Sequence, residues 1–207
     1  NKLLAYIDSI DSIGNPFGKR QGNLFSASCI RFKYFTISND DICVYETGDE
    51  IIISINGSDD LIEWVNNARL YPIVHNCHND YYTKAELYLN TIKVVLDDWY
   101  KETCKPIVFT GHSRGGAIVQ VMCDMYKNNS SCVTFGSPRV FTLKGSKACT
   151  FKHTRVYSSF DLVRHIPFCW LFPFFKHYQA TTINIKNRIM FKFSHTNYKL
   201  LIDKFIK

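Results

Sequence analysis

The sequence predicts an α/β fold in one domain over residues 1–207, a mostly parallel central sheet with helices on both faces. Three observations carry this. Short β-branched runs alternate with longer stretches of helical periodicity. Ile51-Ile52-Ile53 with Ile55 is continuous rather than alternating, which suits a strand buried on both faces. The stretch from Pro106 to Lys127, PIVFTGHSRGGAIVQVMCDMYK, reads as strand, tight turn and helix with a serine at the turn.

In chain order, Lys2 to Ile13 carries apolar residues at 3, 4, 7, 10 and 13, a helical spacing stopped by Gly14-Asn15-Pro16. Asn23 to Ile37 reads as a second helix, with Leu24, Phe25, Cys29, Ile30 and Tyr34 inside. Asp41 to Thr47 and Glu50 to Ile55 read as paired strands joined by Thr47-Gly48-Asp49. After the turn cluster Asn56 to Asp60, Leu61, Trp64, Val65 and Ala68 share one face of a short amphipathic helix. Tyr71 to Val74 is a further strand candidate. Asp80 to Lys101 is the longest helix, with Ala85, Leu89, Ile92, Leu96 and Trp99 as its inward stripe. Cys132 to Phe135 and Thr154 to Ser159 read as strands, Tyr178 to Ile185 with Arg188 to Phe193 as a hairpin, and His195 to Phe205 as the closing helix.

Composition narrows the function. At 207 residues and 46% hydrophobic, the chain can bury one sizeable core. Its longest apolar run, Ile166 to Phe175, is broken by Pro167 and Pro173 and falls short of the ~20 residues a membrane span needs. No secretory leader is visible, and the start at Asn1 leaves room for a removed one. The eight cysteines form no C-x-x-C pair, and His75-Asn76-Cys77-His78 fits no metal template, so neither metal nor other cofactor is expected. Disulfide state and compartment stay open. Residues 139–207 hold 13 Lys/Arg against two acids, a net +11, while residues 1–138 are at −4. A basic half points to an anionic partner. No nucleic-acid recognition motif accompanies it, so a lipid or membrane surface is expected, with no obligate protein partner evident.

The chemistry centres on Gly111-His112-Ser113-Arg114-Gly115, which fits the G-x-S-x-G nucleophile elbow with its strand before and helix after. A serine hydroxyl needs a histidine to take its proton and a carboxylate to hold that imidazole. On such sheets the order is serine, acid, histidine. Three acids follow Ser113: Asp124 lies on the elbow's own helix, Asp203 on the last helix, and Asp161 just past a strand end, where loop residues converge on such sites. Asp161 is therefore the expected acid. Of the later histidines, His165 is too close to turn back onto it, and His177 leads into a strand. His195 opens the last helix and is the expected base, with His177 as its alternative. The oxyanion donors are expected from the N–H of Arg114 and from Ser58 on the early loop Gly57-Ser58.

With these residues in place, the chain resembles the class 3 lipase family, the fungal triacylglycerol lipase type of α/β-hydrolase. The likeness runs from about Cys43 to Tyr198. It joins Ile51 to Ser58, Trp64, Val74-His75, Gly111-His112-Ser113, Phe135-Gly136-Ser137-Pro138-Arg139-Val140, Asp161 to Pro167, and His195-Thr196-Asn197-Tyr198. It implies lipid ester hydrolysis through Ser113, His195 and Asp161, and it favours His195 over His177. It also implies that Asp59 to Leu70 is an interfacial lid, with Leu61, Trp64 and Val65 facing substrate. One departure is Arg114, where the family usually has an apolar residue; a cation there would alter head-group preference. The chain is also short for the family. Two alternatives accompany this expectation: phospholipase A-type activity on anionic membranes, and a catalytically silent lipase-like module that only binds membranes.

Overall fold

The computed structural model describes residues 2–11, 29–57, 73–166, 175–186 and 198–206. Its elements begin with helix α1 (Lys2–Asp11), the strands β1 (Cys29–Ile37), β2 (Asp40–Thr47), β3 (Ile51–Ile55), β4 (Ile73–Val74) and β5 (Cys77–His78), and helix α2 (Asn79–Thr103). There follow β6 (Ile107–His112), α3 (Ser113–Tyr126), β7 (Ser130–Phe135), β8 (Phe141–Thr142), α4 (Leu143–Ala148) and β9 (Lys152–Ser158). A 3-10 turn (Val163–His165), β10 (Phe175–Lys176), β11 (Thr181–Ile185) and α5 (Tyr198–Ile206) complete the chain.

A seven-stranded sheet in the order β1-β2-β3-β6-β7-β9-β11 organises the molecule. The first two junctions are antiparallel, and β3, β6, β7, β9 and β11 run parallel to one another. The β3 run divides its side chains as its sequence implies. Ile51, Ile53 and Ile55 join the core beneath α2 and α3, whereas Ile52 joins the opposite core with α1 and α5. Ala85, Leu89, Ile92, Leu96 and Trp99 of α2 are all buried, as the stripe predicts. Each large apolar side chain so buried stabilises the fold by about 1.5–3 kcal/mol.

Helices α2 and α3 both end in a left-handed residue, Cys104 (φ 53°) and Lys127 (φ 59°), whose N–H groups bond back to Tyr100 and Cys123. These caps turn the chain straight into β6 and β7. The carboxyl ends of the parallel strands therefore all open on one edge of the sheet, the edge that carries the site.

One prediction fails. Residues 29–37, expected to complete a helix, form strand β1 instead. Ser38 and Asn39 both take positive φ (50° and 65°), the geometry of a tight hairpin turn, and set Ile37 opposite Asp40. Once paired, Phe32 meets Tyr45 and Tyr34 meets Cys43, so cross-strand packing overrides the helical reading of Cys29, Ile30 and Tyr34. Thr181–Ile185 is a strand as expected, but it pairs in parallel with β9. Its proposed hairpin partner, residues 188–193, lies outside the described residues. So do most of the aromatic run (167–174), the expected lid (59–70) and the first three residues of the closing helix. A small second sheet, in the order β10-β8-β5-β4, flanks the main one.

All seven described cysteines are free thiols. Among the described residues no helix is long and apolar enough to cross a membrane. Val74-His75-Asn76-Cys77 is the hairpin between β4 and β5, and His78 packs its ring on Tyr81.

Candidate active site

Ser113 sits where β6 becomes α3, and its backbone is left-handed, with φ of 53°. For a residue carrying a Cβ this is a strained conformation, persisting only where the surroundings fix it. Packing fixes it here. A Cβ on Gly115 would stand 2.3 Å from the Asn56 carbonyl oxygen and 2.5 Å from that of Ile55. Helix α3 thus starts in direct backbone contact with the end of β3. A Cβ on Gly57 would reach Ser113 Cβ at 3.2 Å, so the loop after β3 lies against Ser113. Ser58, the next residue along that loop, is outside the described residues, as are Leu61, Trp64 and Val65.

The Arg114 N–H belongs to the first turn of α3, whose N–H groups have no partner within the helix and favour negative charge. Its guanidinium has a different role from the one expected. It donates to Asp40 Oδ1 at the start of β2, while Tyr88 of α2 donates to the other carboxylate oxygen and Lys84 stands 3.5 Å away. Asp40 therefore neutralises Arg114 and ties the elbow helix to β2. The cation expected to alter head-group preference thus has an internal partner. Sequence offered no signal for this pairing, since Asp40 lies 74 residues away.

Asp161 is fully buried past the end of β9. Its Oδ1 accepts the N–H of Val163 at 3.0 Å, and its Oδ2 accepts the Tyr198 hydroxyl at 2.6 Å. That hydroxyl in turn accepts the Ser158 N–H at 3.0 Å. Burial and the adjacent carboxylate push the Tyr198 hydroxyl well above the usual phenol range, so it stays a donor. Gly136, at the end of β7 with φ of 57°, makes room for the pair. A Cβ there would lie 2.6 Å from Asp161 Oδ2 and 2.9 Å from the Tyr198 ring. The same ring packs edge-on to Phe135 at 6.2 Å and lies 5.6 Å from His112, the residue before Ser113. Tyr198 thus links Asp161 to the β6–α3 turn. In the sequence Tyr198 is only the last residue of His195-Thr196-Asn197-Tyr198, with nothing local to announce this contact.

Removing that hydroxyl should be costly. In Tyr198→Phe, Asp161 loses a donor and the buried Ser158 N–H loses its acceptor, a penalty of about 1–3 kcal/mol. The melting temperature should drop by roughly 2–10 °C in a thermal unfolding scan. An unchanged melting temperature would contradict this account of the acid's setting.

The histidines separate by environment. His195 lies outside the described residues. The ring of His177 bonds through Nε2 to the Arg164 carbonyl at 2.6 Å, and burial holds its pKa well below the usual histidine range. His165 accepts from Arg164 Nε at 2.9 Å. Among the described residues no group of His, Cys, Asp and Glu has metal-ligating geometry.

Residues 52–171 match the family model described as lipase (class 3), well over half of the chain. The chain belongs to the class 3 lipase family. It is accordingly a carboxylic ester hydrolase of the lipase type. Solved structures agree on the fold. A lipase from Rhizopus microsporus var. chinensis superposes with a TM-score of 0.75 at 15% identity, over 91% of this chain and 75% of that one. Lipase II from Rhizopus niveus gives 0.75 at 18%, over 90% and 80%. The triacylglyceride lipase of Rhizomucor miehei gives 0.71 at 20%, over 88% and 76%. No curated protein matches the sequence significantly. The comparisons show the class 3 lipase fold with its mostly parallel sheet, as the sequence implies.

Proposed function

We propose that this class 3 lipase cleaves carboxylic esters of glycerolipids through an acyl-enzyme on Ser113. His195 takes the serine proton and returns it to the leaving alcohol, and Asp161 orients and stabilises the imidazolium. The N–H groups of Ser58 and Arg114 hold the tetrahedral oxyanion. Water then releases the acyl chain with the same histidine as base. No cofactor takes part. Leu61, Trp64 and Val65 form the apolar face of a lid over the acyl chain.

The observation that carries this reading is the left-handed Ser113 at the start of α3, together with a buried carboxylate held by two donors, one of them Tyr198, whose ring lies 5.6 Å from that of His112. At a strand-to-helix turn, a left-handed serine suits a side chain held out for attack. Tyr198 supports His195 as the base. It fixes the chain on Asp161 only three residues downstream, within the roughly 10 Å that three residues can span. His177, by contrast, has its Nε2 engaged by a backbone carbonyl.

The reading is tested by labelling with a fluorophosphonate and mapping the adduct by peptide mass spectrometry. The adduct should form on Ser113 and vanish in Ser113→Ala. No labelling of the wild type, even with detergent or lipid present, would replace this reading with the silent membrane-binding module.

A further inference from the structure

The ion pair at the start of α3 stands where alignment matters most. Asp40 opens β2 straight after the positive-φ turn Ser38-Asn39, and Ile42, two residues on, pairs with Ile55 at the end of β3. Because β2 runs antiparallel to β3, Asp40 stands level with Gly57 on the carboxyl edge of the sheet, the edge of Ser113. The Arg114 guanidinium reaches it from the first turn of α3. In the sheet order β3 lies between β2 and β6. The pair therefore bridges from the helix that follows β6, across the end of β3, to the strand on its far side.

Asp40 is itself held. Tyr88 of α2 donates to its second carboxylate oxygen, and Lys84, one turn earlier on α2, stands 3.5 Å from the same oxygen. Burial and that carboxylate push the Tyr88 hydroxyl well above the phenol range, so it remains the donor. Three elements thus meet on one carboxylate, with Arg114 and Asp40 both largely withdrawn from water. The buried Arg114 Nε has no hydrogen-bond partner among the described residues. A buried ion pair adds little stability over apolar side chains of the same volume, and one with an unpaired N–H adds less. What a charge-assisted bond to a planar guanidinium does supply is direction.

The neighbours show what that direction fixes. A Cβ on Gly57 would lie 3.2 Å from the Ser113 Cβ, and one on Gly115 2.3 Å from the Asn56 carbonyl oxygen, so the loop after β3 and the start of α3 meet backbone to backbone. Such a contact sets a closest approach, but it leaves the helix free to pivot about it. The bond from Arg114 to Asp40 adds the second point of attachment.

We propose that Asp40, with Tyr88 behind it, is a positioning residue for ester hydrolysis: through the Arg114 side chain it holds the Arg114 N–H at the angle the oxyanion requires. The proposal rests on the ester-hydrolase reading above, in which that N–H is one of the two oxyanion donors. Asp40 acts at one remove from the ester, so binding of the uncharged substrate should be indifferent to it. Donor alignment matters once charge develops on the carbonyl oxygen.

The experiment measures kcat and KM on a chromogenic butyrate ester for the wild type, Asp40→Asn, Tyr88→Phe, Arg114→Met and the double variant Asp40→Asn/Arg114→Met. Alongside, it measures inhibition by an alkyl trifluoromethyl ketone, whose adduct with a serine carries an oxyanion, and by the matching alcohol, which forms none. Thermal melts check folding. Asp40→Asn should lower kcat and the affinity for the ketone together by about 10–30-fold, while KM and the affinity for the alcohol stay within about twofold. Tyr88→Phe, which keeps both charges, should lose about 3–10-fold in the same two readouts. The double variant should fall no further than either of its parents, because both break one link. A lower melting temperature with kcat and ketone affinity unchanged would overturn the proposal and leave Asp40 a structural role, as would additive losses in the double variant. A rise in kcat in Asp40→Asn would overturn it too, since the released guanidinium would then assist the oxyanion by its charge. Should Asp40→Asn not fold, Tyr88→Phe decides by the same outcomes. A wild type that neither hydrolyses the ester nor reacts with a fluorophosphonate would remove the ester-hydrolase reading and this role with it; an active wild type with unaffected variants would remove this role alone.

Discussion

Asp161→Asn should lower kcat about 10⁴-fold while leaving KM for a short-chain ester nearly unchanged. The argument starts from the carboxylate's surroundings. Asp161 is fully buried, with one oxygen on the Val163 N–H and the other on the Tyr198 hydroxyl. An asparagine of the same shape fits this setting but places an NH₂ where one of those donors already points. Substrate contacts are untouched, so binding survives. In the proposed mechanism, the imidazolium that forms when His195 takes the serine proton would lose its stabilising charge, and the ring the acceptor that selects its tautomer. Stability should fall by about 1–3 kcal/mol, the cost of one buried hydrogen bond to a charged group. That is far too little to unfold a chain of this size, so a folded and nearly inactive protein is expected. Steady-state kinetics on a chromogenic butyrate ester, with a thermal melt on the same sample, read both quantities. Asp124→Asn is the contrast. Asp124 lies on α3 among Cys77, Cys123 and Cys149, where burial raises its pKa. Its replacement should leave kcat within a few-fold. Similar losses in the two variants would remove Asp161 from the proposed triad.

The strand–turn–helix around Ser113 was legible in sequence because its geometry is local. The elbow needs strand, glycines, serine and helix in immediate succession, and residues 107–126 supply them in order. The continuous isoleucines of β3 and the stripe of α2 were legible because their periods match their surroundings. Three features were not. Strand β1 carries aromatic and β-branched residues that satisfy a helical spacing as well as an alternating one, and only pairing with β2 decides between them. The Arg114–Asp40–Tyr88 link joins three elements through side chains far apart in the chain, with nothing local to announce it. The meeting of Arg155 and Arg164 on the Tyr157 ring, with Arg139 on the His165 carbonyl, appears in sequence only as a net charge spread over 69 residues, since the contacts that make it come from β9, the 3-10 turn and the approach to β11. Composition reports how much charge there is; tertiary structure decides where it meets.

Gly115→Ala should be among the most damaging single-methyl changes in the chain, costing about 3–5 kcal/mol and lowering kcat/KM about 100-fold in whatever protein still folds. The added carbon would fall 2.3 Å from the Asn56 carbonyl oxygen and 2.5 Å from that of Ile55. Both are backbone atoms at the end of a central strand, so no side chain can rotate away to relieve the clash. Either α3 withdraws from β3 or the loop after β3 shifts. Each movement separates the N–H groups at the start of α3 from the loop that leads through Gly57 to Ser58, the two proposed sources of the oxyanion donors. Misplacement of about 1 Å at such a site is enough for a 100-fold loss. Gly48→Ala is the control, because a Cβ there meets nothing within 4 Å. It should change stability by no more than about 0.5 kcal/mol. Urea unfolding of both variants, with burst labelling of Ser113 by fluorophosphonate in the absence of denaturant, separates the two effects. A Gly115→Ala protein as stable and as readily labelled as wild type would mean that the elbow does not need the contact with β3, and the left-handed Ser113 would have to be held by β6 and α3 alone.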